Sequence, residues 1–214
     1  MSAAADSLRD RNLRTLAALA GLFLLPLVLA FYTYYATGWR PAAHTNHGTL
    51  ITPVRALPAV SLPRVSLEHA GTDVPGTAGA AAPTPVAALF HRRWSLVYVG
   101  SGECNPACRD TLTVMRQTRL ALGTDMTRVE RVFLVSGECC NREFLGREHP
   151  GLVVMDASGV AGERLLQEFP AADRSHTLFI VDPLGNLMMS YDGRSDPHGL
   201  RDDLKKLLRL SQIG

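Results

Sequence analysis

Between Thr15 and Trp39 no side chain is charged, and residues 16–31 are almost wholly apolar. A helix rising about 1.5 Å per residue over that stretch crosses a hydrocarbon core of roughly 30 Å. This feature constrains the chain more than any other, because whatever follows must fold beyond a membrane. Arg9, Arg11 and Arg14 precede the stretch and Arg40 alone follows closely. That bias keeps residues 1–14 in the cytoplasm and exports the remainder. Tyr32, Tyr34, Tyr35 and Trp39 gather at the exit, where amphipathic rings favour the membrane–water interface and mark residues 15–39 as a retained anchor. The rival is a cleaved signal peptide, for which Val28-Leu29-Ala30 roughly satisfies the small-residue rule. No cysteine lies near the stretch to take a lipid.

The rest is ordinary globular material. The 214 residues carry 22 Lys+Arg against 20 Asp+Glu, with 46% hydrophobic and 20% charged, which excludes a disordered, collagen-like or polytopic membrane chain. The near-neutral balance without a Lys/Arg-rich tract excludes nucleic acid as a partner, since that needs clustered phosphate-neutralising charge. The four cysteines are too few for a disulfide-built scaffold. They all fall between positions 104 and 140, which points to chemistry.

Residues 40–90 mix short apolar runs with breakers, and 71–87 are mostly Gly, Ala, Pro and Thr with Asp73 the only charge. This reads as an extracytoplasmic linker in which 48–53 form a strand at the edge of a later sheet. From 91 onward the pattern is regular. Strands are predicted at 94–100, 129–135 and 152–155. A helix from Asn105-Pro106 to Leu122 stops at Gly123, and another over 162–169 stops at Pro170. Residues 177–181 and 187–191 flank Asp182-Pro183-Leu184-Gly185-Asn186 as an antiparallel hairpin. Asp196-Pro197 opens a last helix whose Leu200, Leu204, Leu207 and Leu208 make one apolar stripe. The order β-α-β-(β)-α-β-β-α is an α/β, thioredoxin-like domain over 91–214, behind a single N-terminal transmembrane helix.

Cys104 ends the loop after a buried strand, and Cys108 lies four residues on, in the first helical turn. Positions i and i+4 face the same way, so the sulfurs converge at the carboxyl edge of the sheet. The positive helix end stabilises a thiolate at Cys104, which predicts a reactive redox dithiol. The plain alternative is one buried stabilising disulfide. Two thiolates with one imidazole also suit Cu(I) or Cu(II), whereas closed zinc sites take four ligands. Of the seven histidines, His44, His47, His69, His91, His149 and His198 read as ordinary surface or loop residues. His176 immediately precedes the strand at 177, which in this fold faces the cysteine turn, and is assigned as the third copper ligand beside Cys104 and Cys108. The run Ser-Gly-Glu-Cys occurs twice, at 101–104 and 136–139, each time after an apolar strand. If those strands are parallel neighbours, Cys139 or Cys140 approaches the first site as a resolving thiol or auxiliary soft-metal ligand. The alternative is an unrelated loop pair, oxidised together.

The exported anchor, the Cys-x-x-x-Cys turn, the later histidine and the hairpin at 180–186 together resemble the Sco/SenC family. The resemblance covers about residues 45–214 and is nearest to a divergent bacterial branch that shares a segment like 182–189. It implies a thioredoxin-like copper chaperone tethered to the bacterial inner membrane and facing the periplasm, with Cys104 and Cys108 as copper ligands. The implied client is cytochrome c oxidase subunit II or another cuproprotein, with other copper chaperones or thiol reductants as partners. The chain departs from the family in carrying Asn105 and Arg109 where proline follows each cysteine. It also carries Arg174 after Asp173, where the family histidine stands. The expected function is to deliver copper to, or reduce cysteines of, an oxidase copper centre. The alternative is a general extracytoplasmic thiol–disulfide oxidoreductase without stable copper binding; a peroxide-reducing or redox-sensing role for Cys139 or Cys140 comes third.

Overall fold

A computed structural model describes residues 2–36, 45–67, 83–211 and 213. The chain divides into two units, Met1–Thr45 and Asn46–Gly214. In the first, α1 (Ser2–Ala36) runs through Pro26. Its segment Asn12–Ala36 spans 25 residues, with an 18-residue stretch of mean hydropathy 2.2, and is long and apolar enough to cross a membrane. Trp39 and Arg40, counted above at the exit, lie outside the described residues.

The second unit opens with β1 (Thr49–Ala56), β2 (Ser61–Leu62), β3 (Arg64–Val65), β4 (Thr84–Pro85) and α2 (Val86–Phe90). It continues through β5 (Trp94–Ser101), α3 (Pro106–Leu120), β6 (Val129–Ser136), α4 (Arg142–Glu148), β7 (Val153–Asp156) and α5 (Val160–Leu166). It closes with β8 (Thr177–Val181), β9 (Asn186–Asp192) and α6 (Pro197–Leu210). Seven strands form one sheet in the order β1-β9-β8-β5-β6-β7-β3. β5, β6 and β7 are parallel, while β8, β9 and β1 on one side and β3 on the other each pair antiparallel with their neighbour.

Alternation along the central strands builds two cores. Trp94, Leu96 and Tyr98 of β5 and Phe133 and Val135 of β6 pack with Leu112 and Met115 of α3 and Leu200, Leu204 and Leu208 of α6. Val97, Val99, Val132 and Leu134 point the other way, onto Val86 and Phe90 of α2 and Leu165 of α5. Strands buried on both faces read as continuous apolar runs, which is why β5 and β6 are so plain in the sequence. Truncating Leu112, fully buried between α3 and the sheet, would cost roughly 2–5 kcal/mol.

The edge strand expected at 48–53 is present as β1, and β3 from the same region adds a strand at the other edge. β1 pairs with β9 at one edge, with Pro53 falling in the irregular stretch between Leu50 and Arg55, where a missing N–H is tolerated. β3 pairs with β7 at the opposite edge. Buried Asp203 on α6 fixes the entry to β1 by accepting from the N–H groups of His47 and Gly48 at 2.8 and 2.9 Å. Residues 68–82, most of the Gly/Ala/Pro stretch, lie outside the described residues, as do His44 and His69. Two helix limits also differ. α3 ends at Leu120 and a 3-10 turn, Gly123–Arg128, follows, with Gly123 at φ +64°. α5 lies at Val160–Leu166, so Pro170 follows its end by several residues and Phe169 packs into the core from beyond it.

Candidate functional site

β5 and β6 are parallel neighbours whose last residues, Ser101 and Ser136, are register partners. Both Ser-Gly-Glu-Cys runs therefore leave the same sheet edge side by side. Gly102 makes this contact close: a Cβ there would lie 2.8 Å from the Cys139 Cα and also strike the Glu138 carbonyl. The N–H of Asn141 donates to the Gly102 carbonyl at 3.2 Å.

The first loop turns sharply. Cys104 adopts φ +47° and donates its N–H to the Ser101 carbonyl at 3.2 Å. A left-handed conformation at a residue bearing a Cβ costs on the order of 1 kcal/mol. The Asn105 side chain accepts from the Cys108 N–H at 3.0 Å and Pro106 occupies the first helical position, so α3 starts immediately after the turn. Cys104 and Cys108 are joined as a disulfide, with Cα atoms 5.0 Å apart, and are 1% and 2% exposed. Arg109, standing where the family carries proline, donates from Nε to the Cys104 carbonyl at 3.2 Å. Its guanidinium lies 4.9 Å from the centre of the Phe144 ring, joining α3 to α4.

The second loop ends differently. Cys139 and Cys140 are adjacent and joined to each other. Asn141 then caps α4 by accepting from the Phe144 N–H at 3.1 Å. Cys139 is exposed, whereas Cys140 is half-buried against the same core cluster that holds Cys104 and Cys108.

A cleft of about 210 Å³ opens beside the first pair, lined by Tyr98, Ser101, Asn105, Cys108, Arg174 and Ser175. The Ser175 carbonyl accepts from Tyr98 Oη and Thr111 Oγ1, each at 3.2 Å. Burial pushes the Tyr98 phenol up to about 12, so it remains a donor. Arg174 is spent on backbone, donating to the carbonyls of Phe169, Leu166 and Pro170 at 2.6, 2.8 and 3.1 Å.

His176 is not gathered with the two sulfurs: among the described residues no group of three or more His, Cys, Asp or Glu could hold a metal ion. In an extended chain every second side chain shares a face, which would carry His176 to the side of residue 174. Residues Arg174–His176 instead form a 3-10 turn after Asp173 at φ +48°. It is Arg174 and Ser175 that reach the cleft, while the His176 carbonyl accepts from the Gly193 N–H at 2.6 Å. What the structure brings together at this edge is the two cysteine sulfurs, joined as a disulfide.

One buried histidine escaped the sequence reading. His149 follows α4, is 2% exposed, and meets Phe144 edge-on with ring centres 5.3 Å apart. Burial, with Arg131 and Arg116 nearby, pushes it down to about 4 and outweighs the opposing pull of Glu148. A run of polar residues around it hid this in the sequence.

A family described as "Transmembrane-like, thioredoxin-like, C-terminal domain" matches residues 94–211, more than half of the chain. The chain belongs to this family. No curated protein matches it. Among solved structures, this thioredoxin-like family member resembles yeast Sco1 with copper bound, at 13% identity and a TM-score of 0.58, covering 73% of this chain and 94% of that one. It also resembles apo Sco1 from Thermus thermophilus, at 20% identity and a TM-score of 0.54, covering 78% and 99%. A thioredoxin-family thiol:disulfide interchange protein from Chlorobium tepidum aligns at 16% identity and a TM-score of 0.50, covering 72% and 97%. At these identities the likeness is one of fold.

Proposed function

We propose that this chain is a membrane-anchored assembly factor, with its domain outside the cytoplasm, whose Cys104/Cys108 pair exchanges a disulfide with cysteines of an exported copper protein. The reading is carried by one observation: two cysteines at the start of α3 converge as a disulfide beside an open cleft at the carboxyl edge of the sheet. Reduced, Cys104 attacks a client disulfide, a mixed disulfide forms, and Cys108 resolves it, leaving the client as a dithiol and the pair oxidised. The positive end of α3 stabilises the attacking thiolate. The Sco/SenC resemblance makes the copper centre of cytochrome c oxidase subunit II the preferred client, reached from the periplasmic side of a bacterial inner membrane.

Copper as cargo of the same pair is the second reading, favoured by the yeast Sco1 structure with copper bound. Two thiolates without an imidazole suit Cu(I) more than Cu(II). His176, which ends the Arg174–His176 turn just before β8, is the candidate third donor. The test is to mix reduced full-length chain in detergent with an oxidised dithiol peptide, with and without Cu(I). With Cys139 and Cys140 both replaced by Ser, the peptide should be reduced by the chain that keeps Cys104 and not by the one that also carries Cys104→Ser. Tight Cu(I) binding lost in Cys104→Ser and Cys108→Ser would add the cargo role. A peptide left oxidised by the unaltered chain would overturn the exchange reading.

A further inference from the structure

We propose that Cys139 and Cys140 form a second redox pair that relays electrons from an external dithiol reductant to the buried Cys104–Cys108 disulfide. This rests on the reading of Cys104/Cys108 as the working pair. A stapling role does not account for the second pair. A disulfide stabilises chiefly by closing a loop in the unfolded chain, and Cys139–Cys140 joins residues one apart, so it constrains almost no chain. Its position has a chemical consequence instead. The working pair is 1% and 2% exposed, so an outside sulfur reaches it through a partner seated on the cleft, as the client is, and not by free collision. Cys139 is exposed, Cys140 turns toward the core shared with Cys104, and the two loops touch backbone to backbone at Gly102. The second pair thus has an outer and an inner sulfur.

The steps balance as two electrons and two protons. The reduced second pair begins the transfer: the Cys140 thiolate attacks Cys104 Sγ, a Cys140–Cys104 bond forms, and the Cys104–Cys108 bond breaks. The electron pair leaves on Cys108, which takes up a proton. The Cys139 thiolate then attacks Cys140 Sγ and releases Cys104 as a thiolate. This leaves Cys139–Cys140 oxidised and the working pair reduced. An external dithiol next attacks exposed Cys139 and regenerates the second pair, itself becoming a disulfide.

The test uses the oxidised full-length chain in detergent, dithiothreitol as reductant, timed alkylation, and mass mapping of each pair. Cys139–Cys140 should open first, and the Cys139→Ser/Cys140→Ser chain should reduce Cys104–Cys108 about 10-fold more slowly. Equal rates in the two chains would overturn the relay while leaving the exchange role intact. A working pair that is readily reduced yet leaves the oxidised peptide untouched would overturn the exchange role instead. In a second measurement, independent of those rates, Cys108→Ser/Cys139→Ser is mildly oxidised. A Cys104–Cys140 bond within one chain is expected; free thiols or only intermolecular links would overturn the relay.

Discussion

The two Ser-Gly-Glu-Cys loops start from register partners on adjacent strands and yet bury their cysteines very differently. The difference lies in where the next helix begins. After Cys104 the cap is Asn105, one residue on, so the second cysteine arrives on the first turn of a 15-residue helix and both sulfurs are drawn into the core. After Cys139 comes another cysteine, and only then the cap Asn141, so the pair stays in the loop ahead of the 7-residue α4. One inserted residue before the cap thus separates a buried cysteine pair from an accessible one.

Substitutions sharpen this contrast, beginning with the largest effect. In a Cys139→Ser/Cys140→Ser background, Cys104→Ser should lower disulfide exchange with an oxidised dithiol peptide by at least about 100-fold, because the attacking thiolate is gone. Cys139→Ser should leave exchange by a pre-reduced working pair within about 2-fold, since its part is regeneration. Peptide reduction followed by mass spectrometry checks both.

His149 distinguishes the loops by pH. Its folded value of about 4 lies below the ordinary 6.5. Between those values the unfolded chain binds a proton that the folded chain resists. Stability is therefore full above about pH 6.5, falls as the pH drops through that window, and levels off below about 4. The loss is about 3 kcal/mol. Because His149 packs on Phe144, the loss should loosen α4 and the second loop first, seen as faster amide exchange there than in α3. His149→Leu should flatten the pH dependence of denaturant midpoints.

Gly102→Ala forces a Cβ against the backbone of the second loop, where no flexible side chain can yield. A loss of about 2 kcal/mol in chemical denaturation is expected, together with slower transfer between the pairs. Smallest are the caps: Asn105→Ala should cost about 1 kcal/mol. Asn141→Ala should cost less, since α4 is half as long and buries little beyond Leu145.

The sequence made the sheet and the first pair legible because they are written in strong local signals. β5 and β6 are unbroken apolar runs, α3 and α6 begin at a cap followed by proline, and the Asp182–Asn186 turn forces a hairpin. Of the early strands, β1 was legible at 48–53, whereas β2 and β3 were not, because they are two residues each and owe their form to partners far along the chain. Around His176 the left-handed Asp173 and the 3-10 turn carry no sequence signal, so the local path of the chain there was not legible. Gly102 and the Arg109–Phe144 contact carry no signal of their own; only the juxtaposition of two loops gives them a role.

The most direct measurement takes the reduced full-length chain in detergent, adds one equivalent of an oxidised dithiol peptide, and maps every cysteine by differential alkylation. In a Cys139→Ser/Cys140→Ser background, which removes the relay, the expected result is a reduced peptide and a disulfide at Cys104–Cys108, with no reaction once Cys104→Ser is added. A peptide that stays oxidised, or one reduced equally well once Cys104→Ser/Cys108→Ser is added, would contradict the assignment of the buried pair as the working site.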